Sequence, residues 1–305
     1  MVIRILKGIH FLLSYACNYE CDHCFLYCSP NSQGTFTFDQ ISRVLDEAGK
    51  IDSVEWIFFE GGEPFLYYPI LVEGIRLARE RGFKTGIVTN SYFATSVEDA
   101  EIWLKPFKEL GLDELSISDD TFHYGNEARN LAKKAKQAAL NLGIPMSSIC
   151  IEEPRVEMQV EKDQEKGTPV IGGGAMFRGR AVDKLIEGLP RRDWRELTSC
   201  PYEDLKGLGR VHVDSFGNVH LCQGLVIGNL WETPLSKLIE NYDVKQHPIC
   251  DPLLRGGPAK LAEEQRIDHE IAYVDECHLC YIVRKELIAR YPQFLGPNQV
   301  YGINE

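Results

Sequence analysis

Three cysteines, Cys17, Cys21 and Cys24, fall in the run Cys17-Asn18-Tyr19-Glu20-Cys21-Asp22-His23-Cys24. Three thiolates on one short loop can hold three irons of a four-iron cluster, which otherwise takes four cysteines. The remaining iron is then open to a substrate or cofactor, as the vacant position is in a catalytic zinc site. Cys28 follows after a further three residues. On spacing alone, a ferredoxin-type cluster or a closed structural zinc site therefore stands beside the open-iron reading. A second constellation is Glu60-Gly61-Gly62-Glu63-Pro64, in which two glycines allow close backbone approach to a ligand and Glu63 supplies a carboxylate. Taken alone it is also a tight turn ending a strand. The third is Cys200, Cys222 and the pair Cys277 and Cys280. A thiolate on a hairpin and a C-x2-C at a helix start can jointly close a tetrahedral site, for which a zinc ribbon is the simpler occupant.

The elements that must carry these residues are legible up to about residue 152. Short apolar runs at Ile9–Ser14, Val54–Glu60, Lys84–Thr89, Glu114–Ser118 and Ser147–Ile151 predict strands, and the intervening segments read as amphipathic helices. Thr37 and Gln40 form a capping-box pattern at the head of a helix through Gly49. Ser96 with Asp99 opens another, and Gly143-Ile144-Pro145 closes a third. Strand–helix alternation of this kind implies parallel strands covered by helices, with ligands at the strands' carboxyl ends. The cysteine triplet lies just past the first strand, on that face. Residues 152–175 break the alternation, and the charged run Glu161–Lys166 reads as a solvated surface excursion. Beyond Cys200 the pattern changes to short strands around Ser215-Phe216-Gly217-Asn218, then a helix near Leu235–Asn241 and another after Cys280. A domain boundary is expected near residue 195, giving units 1–195 and 196–305.

Composition limits the partners. The chain has 305 residues, 44% hydrophobic and 26% charged, as expected of a water-soluble globular protein. Its net charge of −12 argues against nucleic acid or an anionic membrane as a non-specific partner. The apolar run after Lys7 is short and contains His10, unlike a signal segment, and no stretch is long enough to span a bilayer. Clustered cysteines in a long chain suggest metal binding in a reducing compartment, so a cytoplasmic location is expected.

The C-x3-C-x2-C triplet followed by Gly61-Gly62-Glu63-Pro64 at the next strand end resembles the two hallmarks of the radical S-adenosylmethionine (SAM) enzymes, over roughly residues 9–190. The resemblance implies an α/β fold, a partial (β/α)6 TIM-like barrel, followed by a small α+β cluster-binding extension. It implies a [4Fe-4S] cluster held by Cys17, Cys21 and Cys24, with SAM recognised through Gly61, Gly62, Glu63 and Pro64. His23 occupies a position the family fills with an aromatic residue. Asn90, Ser118 and Asp119 stand where the family places polar contacts to SAM, although turn chemistry accounts for them equally. Cys28 reads as a bystander thiol, and Arg180 falls in a Gly-Arg-Ala segment similar to one near the last barrel strand of related enzymes. The C-terminal region resembles the Twitch form of the SPASM extension, which implies a second [4Fe-4S] cluster on Cys200, Cys222, Cys277 and Cys280.

The resulting expectation is reductive cleavage of SAM to a 5′-deoxyadenosyl radical that takes a hydrogen from a small molecule or peptide. Net oxidation through the second cluster is the first reading. Peptide modification, by epimerisation or crosslinking, is an alternative, with Cys150 or Cys250 as a thiol hydrogen donor in an epimerisation. A non-enzymatic iron–sulfur or zinc protein is the other. The expected redox partner is a one-electron reductant such as flavodoxin or ferredoxin.

Overall fold

In a computed structural model, which describes residues 5–125, 130–159 and 168–303, the first strand sets the plan. Strand β1 (Gly8–Ser14) alternates, so Ile9, Phe11 and Leu13 enter the main core. Leu12, pointing the other way, packs in a second and smaller cluster with Tyr15, Cys17 and Cys28. There follow α1 (Phe38–Ala48), β2 (Trp56–Gly61), α2 (Tyr68–Glu80), β3 (Lys84–Thr89), α3 (Val97–Leu110), β4 (Glu114–Ser118), α4 (Thr121–Tyr124), α5 (Leu131–Leu142) and β5 (Met146–Ile149). The five strands pair in parallel in chain order. Helix α1 opens with the expected capping box, Thr37 accepting from Gln40 N and the Gln40 side chain accepting from Thr37 N. Its Ile41, Val44, Leu45 and Ala48 pack with Ile57 and Phe59 of β2 and Leu71 and Ile75 of α2 in the main core.

Strands β6 (Arg155–Gln159) and β7 (Thr168–Gly172) form a separate antiparallel pair where an excursion was expected. The charged run Glu161–Lys166 lies outside the described residues. After α6 (Arg180–Lys184), strand β8 (Arg192–Asp193) is reached, and then β9 (Arg210–Asp214), β10 (Asn218–Cys222) and β11 (Leu225–Asn229). Helices α7 (Leu235–Asn241) and α8 (Cys250–Gln265), strand β12 (Ala272–Tyr273) and helix α9 (Glu276–Leu287) complete the order, β12 pairing with β8.

The sheet runs β11-β10-β9-β1-β2-β3-β4-β5. Strand β9 is parallel to β1, Gly8 facing Arg210 and Leu12 facing Asp214. Five parallel strands of this sheet lie within the first 195 residues, as expected; a sixth, β9, comes from the C-terminal segment and enters on the other side of β1. It fits there because it repeats the alternation of β1. Val211 and Val213 join the main core, while His212 and Asp214 face the opposite side with His10 and Leu12. Residues on both sides of position 195 therefore share one sheet. Among the described residues no helix is long and apolar enough to cross a membrane.

Candidate active site

Because the strands are parallel, the segments leaving β1 to β5 emerge along one edge. Cys17, Cys21 and Cys24 lie on the loop after β1, which is folded on itself by Cys17 N donating to Ser29 O and Cys24 N to Cys21 O, both at 3.0 Å. The segment after β2 is laid against this loop: Gly62 N donates to Ser14 O at 2.7 Å and Glu63 N to Ala16 O at 2.9 Å. A Cβ on Gly62 would come within 2.1 Å of Ala16 O, and one on Gly61, whose φ is +129°, within 2.4 Å of Ser14 O. The close approach these glycines permit is thus to the cysteine loop itself.

Glu63 is fully buried and its carboxylate is committed internally. It accepts from Phe65 N at 3.0 Å, Thr89 Oγ1 at 2.8 Å and Asn90 N at 2.7 Å, and so ties the ends of β2 and β3 together. Burial pushes its acid up to about 7 against those donors. Pro64, buried, starts the short turn Pro64–Tyr67 that Glu63 caps. The Asn90 side chain reaches the site, donating toward Cys17 Sγ at 3.7 Å and to Asn18 Oδ1 at 2.9 Å. His23 packs on Phe122 at 4.7 Å and against His123 at 5.4 Å, and its Nδ1 is buried without a partner. Burial holds the ring neutral, down to about 4, against the pull of Asp120.

After β4 the chain divides its polar groups. Ser118 O accepts from Tyr124, and Asp119 is bound by Lys136 and by Asn130 Nδ2. The adjacent Asp120 turns toward the loop instead, 2.7 Å from His123 Nδ1 and close to His23. Cys150, after β5, is exposed, and its neighbour Ile151 donates its N–H to Asp120 Oδ2 at 3.4 Å. Cys250 is elsewhere: it is fully buried at the head of α8, and burial pushes its thiol up to about 12. Arg180, 5% exposed, is no surface residue. Its Nη1 donates to Cys21 O at 3.0 Å and its Nη2 to Cys28 O at 2.6 Å, so it buttresses the loop from the side of α6.

The thiols of the loop differ in their surroundings. Burial pushes Cys17 up to about 12 and Cys21 well above the thiol range. Cys24 goes the other way, down to about 6, because it accepts from the Cys28 thiol and, at 3.4 Å, from Cys28 N, with Arg180 nearby. Four tetrahedral thiolates on one zinc ion stand about 3.8 Å apart. Cys17, Cys21 and Cys24 do not all come within 4.8 Å of one another.

The other four cysteines converge. Cys200, Cys222 at the end of β10, and Cys277 and Cys280 in the first turns of α9 line one small cavity together with Arg178, Glu203 and Arg284. Asp275 caps α9 by accepting from His278 N at 2.8 Å, and burial pushes the Cys280 thiol up to about 11 and Cys277 above the thiol range. No three of these sulfurs fall within 4.8 Å of one another either. Sequence reasoning missed a further group on the inner side of the sheet. Glu60 lies 3.2 Å from His10 Nδ1 and 3.1 Å from His212 Nε2, and the two imidazoles hold its carboxyl below the usual range despite burial. The period-two alternation of β1, β2 and β9 was the available signal.

Comparison with known proteins bears on this geometry. Residues 11–142 match the radical SAM superfamily. The chain is 21% identical over 293 residues to the putative peptide biosynthesis protein YydG of Bacillus subtilis, covering 92% of this chain and 81% of that protein. It is 28% identical over 170 residues to the tungsten-containing aldehyde ferredoxin oxidoreductase cofactor-modifying protein of Pyrococcus furiosus, covering 55% of this chain but only 42% of that protein. Among solved structures, BtrN in complex with AdoMet and 2-DOIA superposes with a TM-score of 0.54 at 17% identity, over 91% of this chain and 92% of BtrN. Native anSMEcpe with bound AdoMet and the Cp18Cys peptide gives 0.51 at 14% identity, over 94% and 96%. These two share the fold.

Proposed function

We infer, from the radical SAM superfamily domain that residues 11–142 form, an enzyme that binds SAM and a [4Fe-4S] cluster at the loop after β1 and oxidises its substrate with help from a second cluster. When bound, SAM and its cluster supply a radical that removes a hydrogen atom from substrate. Residues 1–195 serve SAM chemistry in this reading and residues 196–305 the auxiliary cluster. Cys17, Cys21 and Cys24 are the ligands of the first group, with Asn90 donating toward Cys17. Glu63 holds the ends of β2 and β3 in register, leaving the backbone of Gly61 and Gly62 to meet the amino group of SAM. Asp120, with His23 and His123, offers the polar contact that Asp119, bound to Lys136, does not.

The observation that carries the oxidative reading is the convergence of Cys200, Cys222, Cys277 and Cys280 on one cavity. Four protein ligands close a cluster to substrate and suit it to electron transfer. The test is an anaerobic count of iron and sulfide together with 5′-deoxyadenosine formation. About eight of each per chain and SAM cleavage support the reading. Zinc without sulfide would sink it. The proposed partners are a flavodoxin or ferredoxin reductant and a small molecule or peptide, in a reducing cytoplasm.

A second reading, peptide epimerisation, is favoured by the exposed Cys150 beside Asp120 and by the span of the likeness to a peptide biosynthesis protein. Deuterium from solvent appearing in product, and its loss with Cys150→Ala, separates it from oxidation.

A further inference from the structure

Two arginines are buried around the four-cysteine cavity with too few anions to balance them. Arg178 is 4% exposed and Arg284 2%, and both line the cavity. Arg178 Nη1 lies 2.7 Å from Cys222 Sγ, and its only carboxylate neighbour among the described residues is Glu203 at 3.5 Å. Glu203 is shared with Arg210 at 3.4 Å. Arg284 forms no ion pair among the described residues: its Nη1 donates to Gln223 O at 3.1 Å and its guanidinium lies over the Tyr301 ring. The Nε atoms of both arginines are buried without partners. Glu276, also on the cavity wall, is bound by Arg192 at 2.8 Å.

Burying an unpaired charge is costly unless an anion meets it. The geometry says which anion. On α9, Cys277, Cys280 and Arg284 recur at i, i+3 and i+7, which places all three on one helix face. Arg178 reaches the same space from the segment before α6, with its Nη1 on Cys222 Sγ.

We propose that Arg178 and Arg284 are the counter-charges of the auxiliary cluster and hold its reduction potential up, so that it takes an electron from substrate more readily. This rests on the reading that Cys200, Cys222, Cys277 and Cys280 carry such a cluster. A four-iron cluster on four thiolates is a net anion in both redox states and more negative when reduced. Nearby buried cations therefore favour the reduced state. Arg178 also stacks on Phe25, next to Cys24, with 5.2 Å between guanidinium and ring centre, so one side chain touches both cysteine regions.

The test is a redox titration followed by electron paramagnetic resonance, in full-length chain carrying Cys17→Ala, Cys21→Ala and Cys24→Ala so that only the auxiliary cluster gives signal. Arg178→Gln and Arg284→Gln should each shift the reduction equilibrium at least tenfold toward the oxidised cluster, about 59 mV for a one-electron couple. Arg178→Lys and Arg284→Lys should recover most of the shift. Unchanged midpoints in fully loaded Gln variants overturn the proposal. If a Gln variant loses its iron, recovery of iron with Lys supports it, and loss with Lys as well overturns it. Absence of iron and sulfide from the triple-alanine background itself overturns the cluster reading, independently of the arginines.

Discussion

The side-chain nitrogen of Asn90 lies 3.7 Å from Cys17 Sγ, so the end of β3 is fastened to the first cysteine of the loop after β1. Groups that donate to a metal-bound ligand tune the metal, and losing one typically costs 10- to 100-fold in affinity or activity. Asn90→Ala is therefore expected to slow 5′-deoxyadenosine formation by about tenfold or more at unchanged iron content. Equal rates in matched, fully loaded preparations would remove Asn90 from the site.

Gly62→Ala tests the contact between the β2 end and the cysteine loop. The added methyl meets backbone, Ala16 O at 2.1 Å and Tyr15 O at 2.8 Å, so the loop must move. Overpacking of this kind costs about 1–3 kcal/mol, and rigid backbone neighbours put it at the upper end. Thermal unfolding should show the loss, with iron content falling toward that of the auxiliary cluster alone.

Arg180→Met should act more selectively. It removes charge-assisted bonds to Cys21 O, Cys28 O and, at 3.3 Å, Tyr27 O. Each such bond contributes about 1.5–3 kcal/mol. The cysteine loop should loosen and release its iron, leaving the auxiliary signal intact. Equal loss of both iron signals would contradict a local role.

Acid sensitivity should trace in part to His247. Its Nδ1 accepts from Ile249 N at 3.2 Å and Cys250 N at 3.1 Å, and its Nε2–H donates to Val226 O at 3.0 Å, so the ring must be neutral. Burial sets its folded pKa below the usual histidine value. The unfolded chain thus binds the extra proton first: this stabilisation is complete above about pH 6.5 and is lost as pH falls toward the lower folded value. In denaturant titrations across that window, His247→Gln should flatten the fall in stability seen for the parent chain. An equally steep fall would reject the assignment.

Particular residues show how far the sequence could be read. Lys84–Thr89 and Glu114–Ser118 were legible to the residue, because buried parallel strands are short apolar runs between helices. The capping of α1 was legible for the same local reason. Strand β9 as the neighbour of β1 was not, since a parallel partner about 200 residues away leaves no local trace. Helix α8 was hidden by Pro252, Gly256, Gly257 and Pro258, and is kinked where Gly257, at φ +63°, packs against the backbone of Thr198 and Ser199. At the site, the residue types after each strand were readable but their directions were not. Asp119 and Asp120 differ only in which side of the turn they leave from, and Glu60, placed correctly at a strand end, gave no sign that alternation sends it inward to His10 and His212.

The parallel pairing of β9 with β1 also orders events during synthesis. When the first 195 residues have left the ribosome, β1 still has an open edge of unpaired amides and carbonyls beside the segment that leads to the cysteine loop. Only arrival of Arg210–Asp214 closes it. A chain cut after residue 195 would leave that strand edge open to pairing with its own copies. The sheet is complete only when the C-terminal third of the polypeptide has joined it.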